Sequence, residues 1–188
     1  MGKCILIIGG ARSGKSRLAM ELARQSGKSV LFVATATAGD EEMAQRIARH
    51  RQERPAHWHT IEVTTDVGKR INKEIGEAKL VIVDCITLLV NNIFSESGYQ
   101  VTAPEEARLE KRIASEINSL IECVKGAVAS FIVISNEVGL GLVPANQMSR
   151  LYRDLLGKAN QMLAQSADEV YLMVAGLPVK ITQSTPNL

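Results

Sequence analysis

Residues Gly9, Gly10, Ala11, Arg12, Ser13, Gly14, Lys15 and Ser16 spell a complete G-x-x-x-x-G-K-S phosphate-binding loop. No other stretch restricts the fold as strongly, because the motif works only between a buried strand and the first turn of a helix. Its backbone N–H groups must curl around a phosphate chain, and side chains would block that approach at the glycines. Lys15 supplies a point charge for the β- and γ-phosphates, and the Ser16 hydroxyl is a Mg²⁺ ligand. The flanks agree. Lys3 to Ile8 (KCILII) is an apolar run fit for a buried parallel strand, and Lys15 to Gln25 carries Leu18, Leu22, Ala19 and Ala23 at helical spacing. A helix N-terminus placed there adds its dipole to anion binding.

The same alternation continues along the chain. Val30 to Ala34 (VLFVA), Trp58 to Val63, Leu80 to Asp84 (LVIVD), Ser130 to Ser135 and Glu169 to Ala175 read as strands. Asp40 to Glu53, a long segment within Pro104 to Val124, and Met148 to Ala167 read as helices. In the first of these, Met43, Ile47 and His50 line one face, which predicts that this face meets the core. The order predicts an α/β fold, a mainly parallel sheet flanked by helices, in one nucleotide-binding domain over 1–188. Ser95 to Ala103 is expected to be a mobile loop, and Gln183 to Leu188 a fraying tail.

With 188 residues the chain is long enough for one well-filled core, and its formal charge of +2 gives no footing for nucleic acid. No apolar run reaches the roughly 18–20 residues of a membrane span. A cleaved leader would remove the phosphate loop, and Leu6 stands where a myristoylation signal needs Ser or Thr. The expected location is the cytoplasm. Cys4, Cys85 and Cys123 lie in or beside apolar segments without metal-ligand spacing, as buried free thiols do.

Asp84 closes the LVIVD strand, where a carboxylate faces the phosphate loop and shares Mg²⁺ with the Ser16 hydroxyl. It is equally placed to cap a helix starting at Ile86. A guanine-reading N-K-x-D is missing: Asn72-Lys73-Glu74-Ile75 lacks the Asp and reads as an exposed helix face. The segment Arg46 to Pro55 surrounds His50 with Arg46, Arg49, Arg51 and Arg54. A neutral imidazole nitrogen is a nucleophile toward phosphorus, and guanidinium groups hold the phosphates it would attack. From the residues alone, a core-facing His50 in line with Met43 and Ile47 fits as well. His57 and His59 flank Trp58, in a pattern of alternating exposure or of a metal pair. Glu137, after the strand ending at Ser135, suits a substrate contact, a Mg²⁺ ligand or a helix start.

These pieces together resemble the bifunctional adenosylcobinamide kinase / adenosylcobinamide-phosphate guanylyltransferase family of cobalamin biosynthesis. The resemblance runs nearly end to end. It rests on GGARSGKS (9–16), ATA (34–36), DEEMAQRIARHRQERPAHW (40–58) with Glu62 beyond, VDCITLLVNN (83–92), NEVGLGLVP (136–144), R-x-x-R-D-x-x-G (150–157), the segment from Asn160 to Val170, and AGLPVK (175–180). The R-x-x-x-H-R-x-x-R-P and N-E-V-G-x-G-x-V-P stretches are its most specific parts. It implies a RecA-like P-loop fold and two reactions. In the first, ATP or GTP phosphorylates adenosylcobinamide. In the second, GMP from GTP passes through a GMP–histidine intermediate to adenosylcobinamide phosphate, and pyrophosphate leaves. The histidine maps onto His50, with Lys15 as the other catalytic group. Nucleotide binding maps onto Gly9 to Ser16, Ala34, Thr35, Ala36, Arg51, Gln52, Glu53, Arg54, Glu62 and Asp84, and metal binding onto Ser16 and Asp84. The resemblance also implies a homotrimer. Two other readings fit the residues: a single-activity small-molecule kinase with a structural His50, and a non-catalytic nucleotide-binding regulator.

Overall fold

The computed structural model describes residues 2–96 and 102–181, leaving out the side chains of Glu42 and Arg46. Residues 97–101 of the expected Ser95 to Ala103 loop, and the tail from Gln183, lie outside these. The described chain runs β1 (Cys4–Gly9), α1 (Lys15–Ser26), β2 (Val30–Ala34), α2 (Glu41–Glu53), β3 (His59–Glu62), α3 (Val67–Glu74), β4 (Leu80–Asp84), α4 (Ile86–Ser95), α5 (Ala103–Gly126), β5 (Ser130–Ile134), α6 (Gln147–Ser166), β6 (Glu169–Val174) and β7 (Leu177–Ile181). The strands form one sheet in the order β3-β2-β4-β5-β1-β6-β7. Every pairing is parallel except β6 with β7. β1 therefore lies deep in the sheet, between β5 and β6.

β2 and β4 are apolar at almost every position because both faces of the sheet are covered there. On one face α3, α4, α5 and α6 close a core containing Val67, Ile71, Leu89, Ile93, Ile117, Leu120 and Leu156. Gly68 lets α3 lie against α5, for a Cβ there would stand 2.4 Å from the Ser119 carbonyl oxygen. On the other face Ala19, Met20 and Ala23 of α1 pack with Trp58 against Val30, Phe32 and Ile132.

Two elements depart from the sequence reading. β7 carries Pro178 and is exposed at every position, so it has neither alternation nor an apolar run to announce it. It sits at the sheet edge, where proline's missing N–H costs no ladder bond. In α2, no described side chain is buried, and Met43 and Ile47 belong to neither core. The expected core-facing stripe is corrected: two apolar side chains on a helix rich in arginine offer too little area to offset desolvating the charges beside them.

Candidate functional site

The phosphate loop is built by the junction of β1 and α1. Gly14 takes φ 97° at the N-cap of α1, a left-handed conformation that glycine adopts without strain. The first turn of α1 holds no acidic residue, so its N–H groups and dipole face an incoming anion unopposed. Lys15 is only 7% exposed. Its ammonium donates to the carbonyls of Gly9 (3.0 Å) and Gly10 (2.7 Å), which fixes the charge over the loop. Two outer segments buttress the loop. Glu137 N–H donates to Gly9 O (2.9 Å), and Gly176 N–H in the β6–β7 turn donates to Ser13 O (3.1 Å). The Glu137 carboxylate accepts from Gly139 N–H (2.6 Å), so it stiffens its own turn.

Strand register sets the second group. Ala34 pairs with Glu62 on one side and Asp84 on the other, so these three predicted residues stand level at the carboxyl ends of β3, β2 and β4. Ligands of such sheets lie off that edge. Asp84 is half-buried. Thr35 is fully buried, and its hydroxyl is consumed locally: it donates to Cys85 O (2.7 Å) and accepts from Cys85 N–H (2.8 Å). Its side chain thus fixes the exit of β2 to that of β4. Ala36, next along, is half-buried. Ser16 and Asp84 are hard oxygen donors, a pair suited to Mg²⁺, which takes few protein ligands and keeps several waters.

The third group lies at the C-terminal end of α2. His50 is half-exposed there, while Arg51, Gln52 and Glu53 are exposed. Glu53 O accepts from Arg24 Nη2 of α1 (2.9 Å), and Arg51 is ion-paired with Glu62. Arg54 stacks its guanidinium 3.9 Å from the centre of the Phe32 ring. Its Nε and Nη1 are buried and have no hydrogen-bond partner among the described residues. Burial lowers the Arg54 pKa from its ordinary value, and the nearby Asp84 carboxylate works against that shift. Two buried orphan donors beside an acidic residue mark a place for anionic oxygens. Arg51, Arg54, Pro55, Ala56, Trp58, Thr60 and Glu62 line a cavity of about 380 Å³ there.

The structure therefore assembles the phosphate loop, Ala34, Glu62, Asp84 and Arg54 at one sheet edge. His57 and His59 are exposed on either side of the buried Trp58, as alternation predicts. Burial pushes the Cys85 thiol up to about 11, with Asp84 adding to it, so the residue after Asp84 remains a neutral thiol at pH 7. Phe32 was not legible as a site residue, since an aromatic within VLFVA reads as core. Only the stacked Arg54 distinguishes it.

The sequence profile of the cobinamide kinase / cobinamide phosphate guanyltransferase family matches residues 5–181. The chain is 42% identical over 180 residues to the bifunctional adenosylcobalamin biosynthesis protein CobU of Escherichia coli, spanning 94% of this chain and 98% of that one. It is 42% identical over 176 residues to the bifunctional adenosylcobalamin biosynthesis protein CobP of Pseudomonas aeruginosa, spanning 94% and 95%. The CobU protein of Salmonella typhimurium is 41% identical over 180 residues. Among solved structures, the RadB recombinase superposes with a TM-score of 0.51 at 18% identity, covering 91% of this chain and 74% of that one. That likeness supports the RecA-like P-loop fold. Among the described residues no helix is long and apolar enough to cross a membrane.

Proposed function

The chain belongs to the cobinamide kinase / cobinamide phosphate guanyltransferase family, and on that premise we propose how one nucleotide site serves both reactions. The chain is a nucleotide-using transferase of cobalamin biosynthesis. It phosphorylates adenosylcobinamide from a nucleoside triphosphate, then moves GMP from GTP onto the new phosphate. The observation that carries the reading is the pair of orphaned Arg54 donors, set beside Asp84 at the end of the helix that bears His50.

The loop Gly9 to Ser16 cradles the β- and γ-phosphates, and Lys15 balances their charge. Ser16 and Asp84 would hold Mg²⁺, which neutralises charge on the phosphate oxygens when bound. In the first step the hydroxyl of the substrate attacks the γ-phosphorus, and a nucleoside diphosphate leaves. A loose transition state asks little of a general base. In the second step an imidazole nitrogen of His50 attacks the α-phosphorus of GTP. The new N–P bond replaces the P–O bond to pyrophosphate, which leaves into the cradle. Arg54 and Arg51 take up charge on the α-phosphate oxygens. The cobinamide phosphate oxygen then attacks the same phosphorus, the N–P bond breaks, and adenosylcobinamide-GDP is released. Ala34, Thr35, Ala36, Gln52, Glu53 and Glu62 frame the nucleotide around this path.

The test is incubation with Mg²⁺ and GTP radiolabelled at the α-phosphate, without corrinoid. Wild type is expected to take up acid-labile, base-stable label, as a phosphoramidate does, and His50→Ala none. Kinase turnover in His50→Ala should stay within about threefold of wild type. An unlabelled wild type that still binds GTP would return His50 to a structural role and leave a plain kinase.

We also read residues 1–188 as one domain, working in the cytoplasm as a homotrimer. Support for assembly comes from exposed aliphatic side chains: Leu140 and Leu142 beside the Glu137 turn, and Leu177 and Val179 on the edge strand β7. Sedimentation should give three times the chain mass, and Leu142→Asp a shift toward monomer.

A further inference from the structure

Asn92 spends its whole amide on two connections that leave the sheet beside the site. Its Nδ2 donates to Thr35 O (2.9 Å) and Thr64 O (3.1 Å), and its Oδ1 accepts from Thr37 Oγ1 (3.2 Å). Thr35 and Thr37 follow β2, and Thr64 follows β3. The amide's orientation is dictated by its partners, since both carbonyls can only accept. Thr35 is already bound through its hydroxyl to Cys85 at the exit of β4. The connection after β2 is thus gripped from two sides, a few residues before Asp40 caps α2.

That grip matters because, among the described residues, no hydrogen bond or ion pair from another element reaches the first turn of α2 itself. No described α2 side chain is buried, so the helix is placed by its ends. At the far end stand the Arg24 bond to Glu53 O and the Arg54 stack on Phe32. At the near end stand the Thr35 to Thr37 connection and the Asp40 cap, whose carboxylate accepts from Met43 N–H (2.7 Å).

We propose that Asn92 is a positioning residue for GMP transfer: it fixes the Thr35 to Thr37 connection, which sets where α2 begins and hence where His50 meets the nucleotide. The proposal rests on the reading of His50 given above. Asn92 lies in α4, outside the phosphate loop. Its removal should therefore weigh on the step that needs α2 and spare the step that needs the loop and Asp84. The position asks for two N–H donors and one acceptor on a short planar group. Aspartate offers the two carbonyls no donor, and leucine keeps the volume without either function.

The test compares full-length Asn92→Leu and Asn92→Asp with wild type in four readouts: kinase kcat and KM, GMP transfer to cobinamide phosphate, α-label uptake, and thermal unfolding. GMP transfer and label uptake should fall by at least about tenfold, because misplacing a reacting group by an ångström costs that or more. Kinase kcat and KM should stay within about threefold. Thr37→Ser should match wild type while Thr37→Val shares the defect more mildly, and this pair decides if the Asn92 variants do not fold. Parallel loss of both activities with a lowered Tm overturns the proposal in favour of a merely structural Asn92. Unchanged transfer in variants that fold overturns it as well. Label on both wild type and Asn92→Leu at equal rates sinks this proposal alone. A wild type that takes no label sinks the His50 reading and this inference with it.

Discussion

Helices α1 and α2 both reach the carboxyl edge of the sheet, where we place the nucleotide, and are held in opposite ways. α1 buries Lys15, Ala19, Met20 and Ala23, and its entry loop is braced by backbone bonds from Glu137 and Gly176. α2 buries no described side chain and is fixed by contacts at its two ends. In the mechanism we propose, the groups that both reactions need, the phosphate cradle and Lys15, stand on the packed element. His50, which we assign to GMP transfer alone, stands on the loosely packed one. On that assignment, pre-organisation by packing is reserved for the shared chemistry, while the step-specific residue is placed through its flanks.

The largest effect that would test this contrast is at Lys15. Lys15→Ala should lower both kinase turnover and GMP transfer by about 10³-fold, since both steps place phosphates in the same cradle. Survival of either activity near wild type would separate the two sites and end the comparison. Arg54→Lys should follow. It keeps the charge and loses the planar fork and the stack over Phe32, and GMP transfer should fall by about 10- to 100-fold. A smaller kinase loss in the same variant would sharpen the assignment of Arg54 to the α-phosphate.

Stability offers a third probe. Met20→Ala leaves a cavity between α1 and the sheet and should cost about 2–3 kcal/mol in urea unfolding. Ile47→Ala in α2 should cost less than about 1 kcal/mol, because little burial is lost. Equal costs would mean that α2 is packed after all. The smallest effect concerns Glu169, whose pKa is held down to about 2 by hydrogen bonds from Lys180, Lys3 and Tyr171. A depressed carboxylate contributes stability above its unfolded pKa and loses it as pH falls toward the folded one. Glu169→Gln should therefore lower Tm slightly at pH 7, with a difference that shrinks as the pH is lowered toward 2, measured by calorimetry.

Much of this contrast was readable in the sequence, and its failures have physical causes. β2 and β4 were legible to the residue because a strand buried on both faces must be apolar throughout. The phosphate loop was legible because its chemistry fixes its spacing. The face of α2 was misread because periodicity reports which residues share a side, not whether anything covers that side. The Thr35 hydroxyl bonds to Cys85, a partner 50 residues away in sequence, which no local pattern announces. Phe32 under Arg54, and Asn92 across two strand exits, depend on such distant pairings and leave no local pattern. β7 was invisible for the opposite reason: an exposed edge strand places almost no demand on its residues.

The depth of β1 in the sheet has a consequence for how the protein is made. The phosphate loop is synthesised long before its neighbours in the sheet, for β1 pairs with residues 131–134 on one side and 169–173 on the other. The bond that braces Ser13 comes from Gly176. A nascent chain carrying the whole nucleotide motif therefore has no strand to pair with β1 until β5 has been synthesised, and no second neighbour until β6 follows. On this view nucleotide capture waits for that assembly, and GTP stabilises only molecules in which β1 has already met β5 and β6.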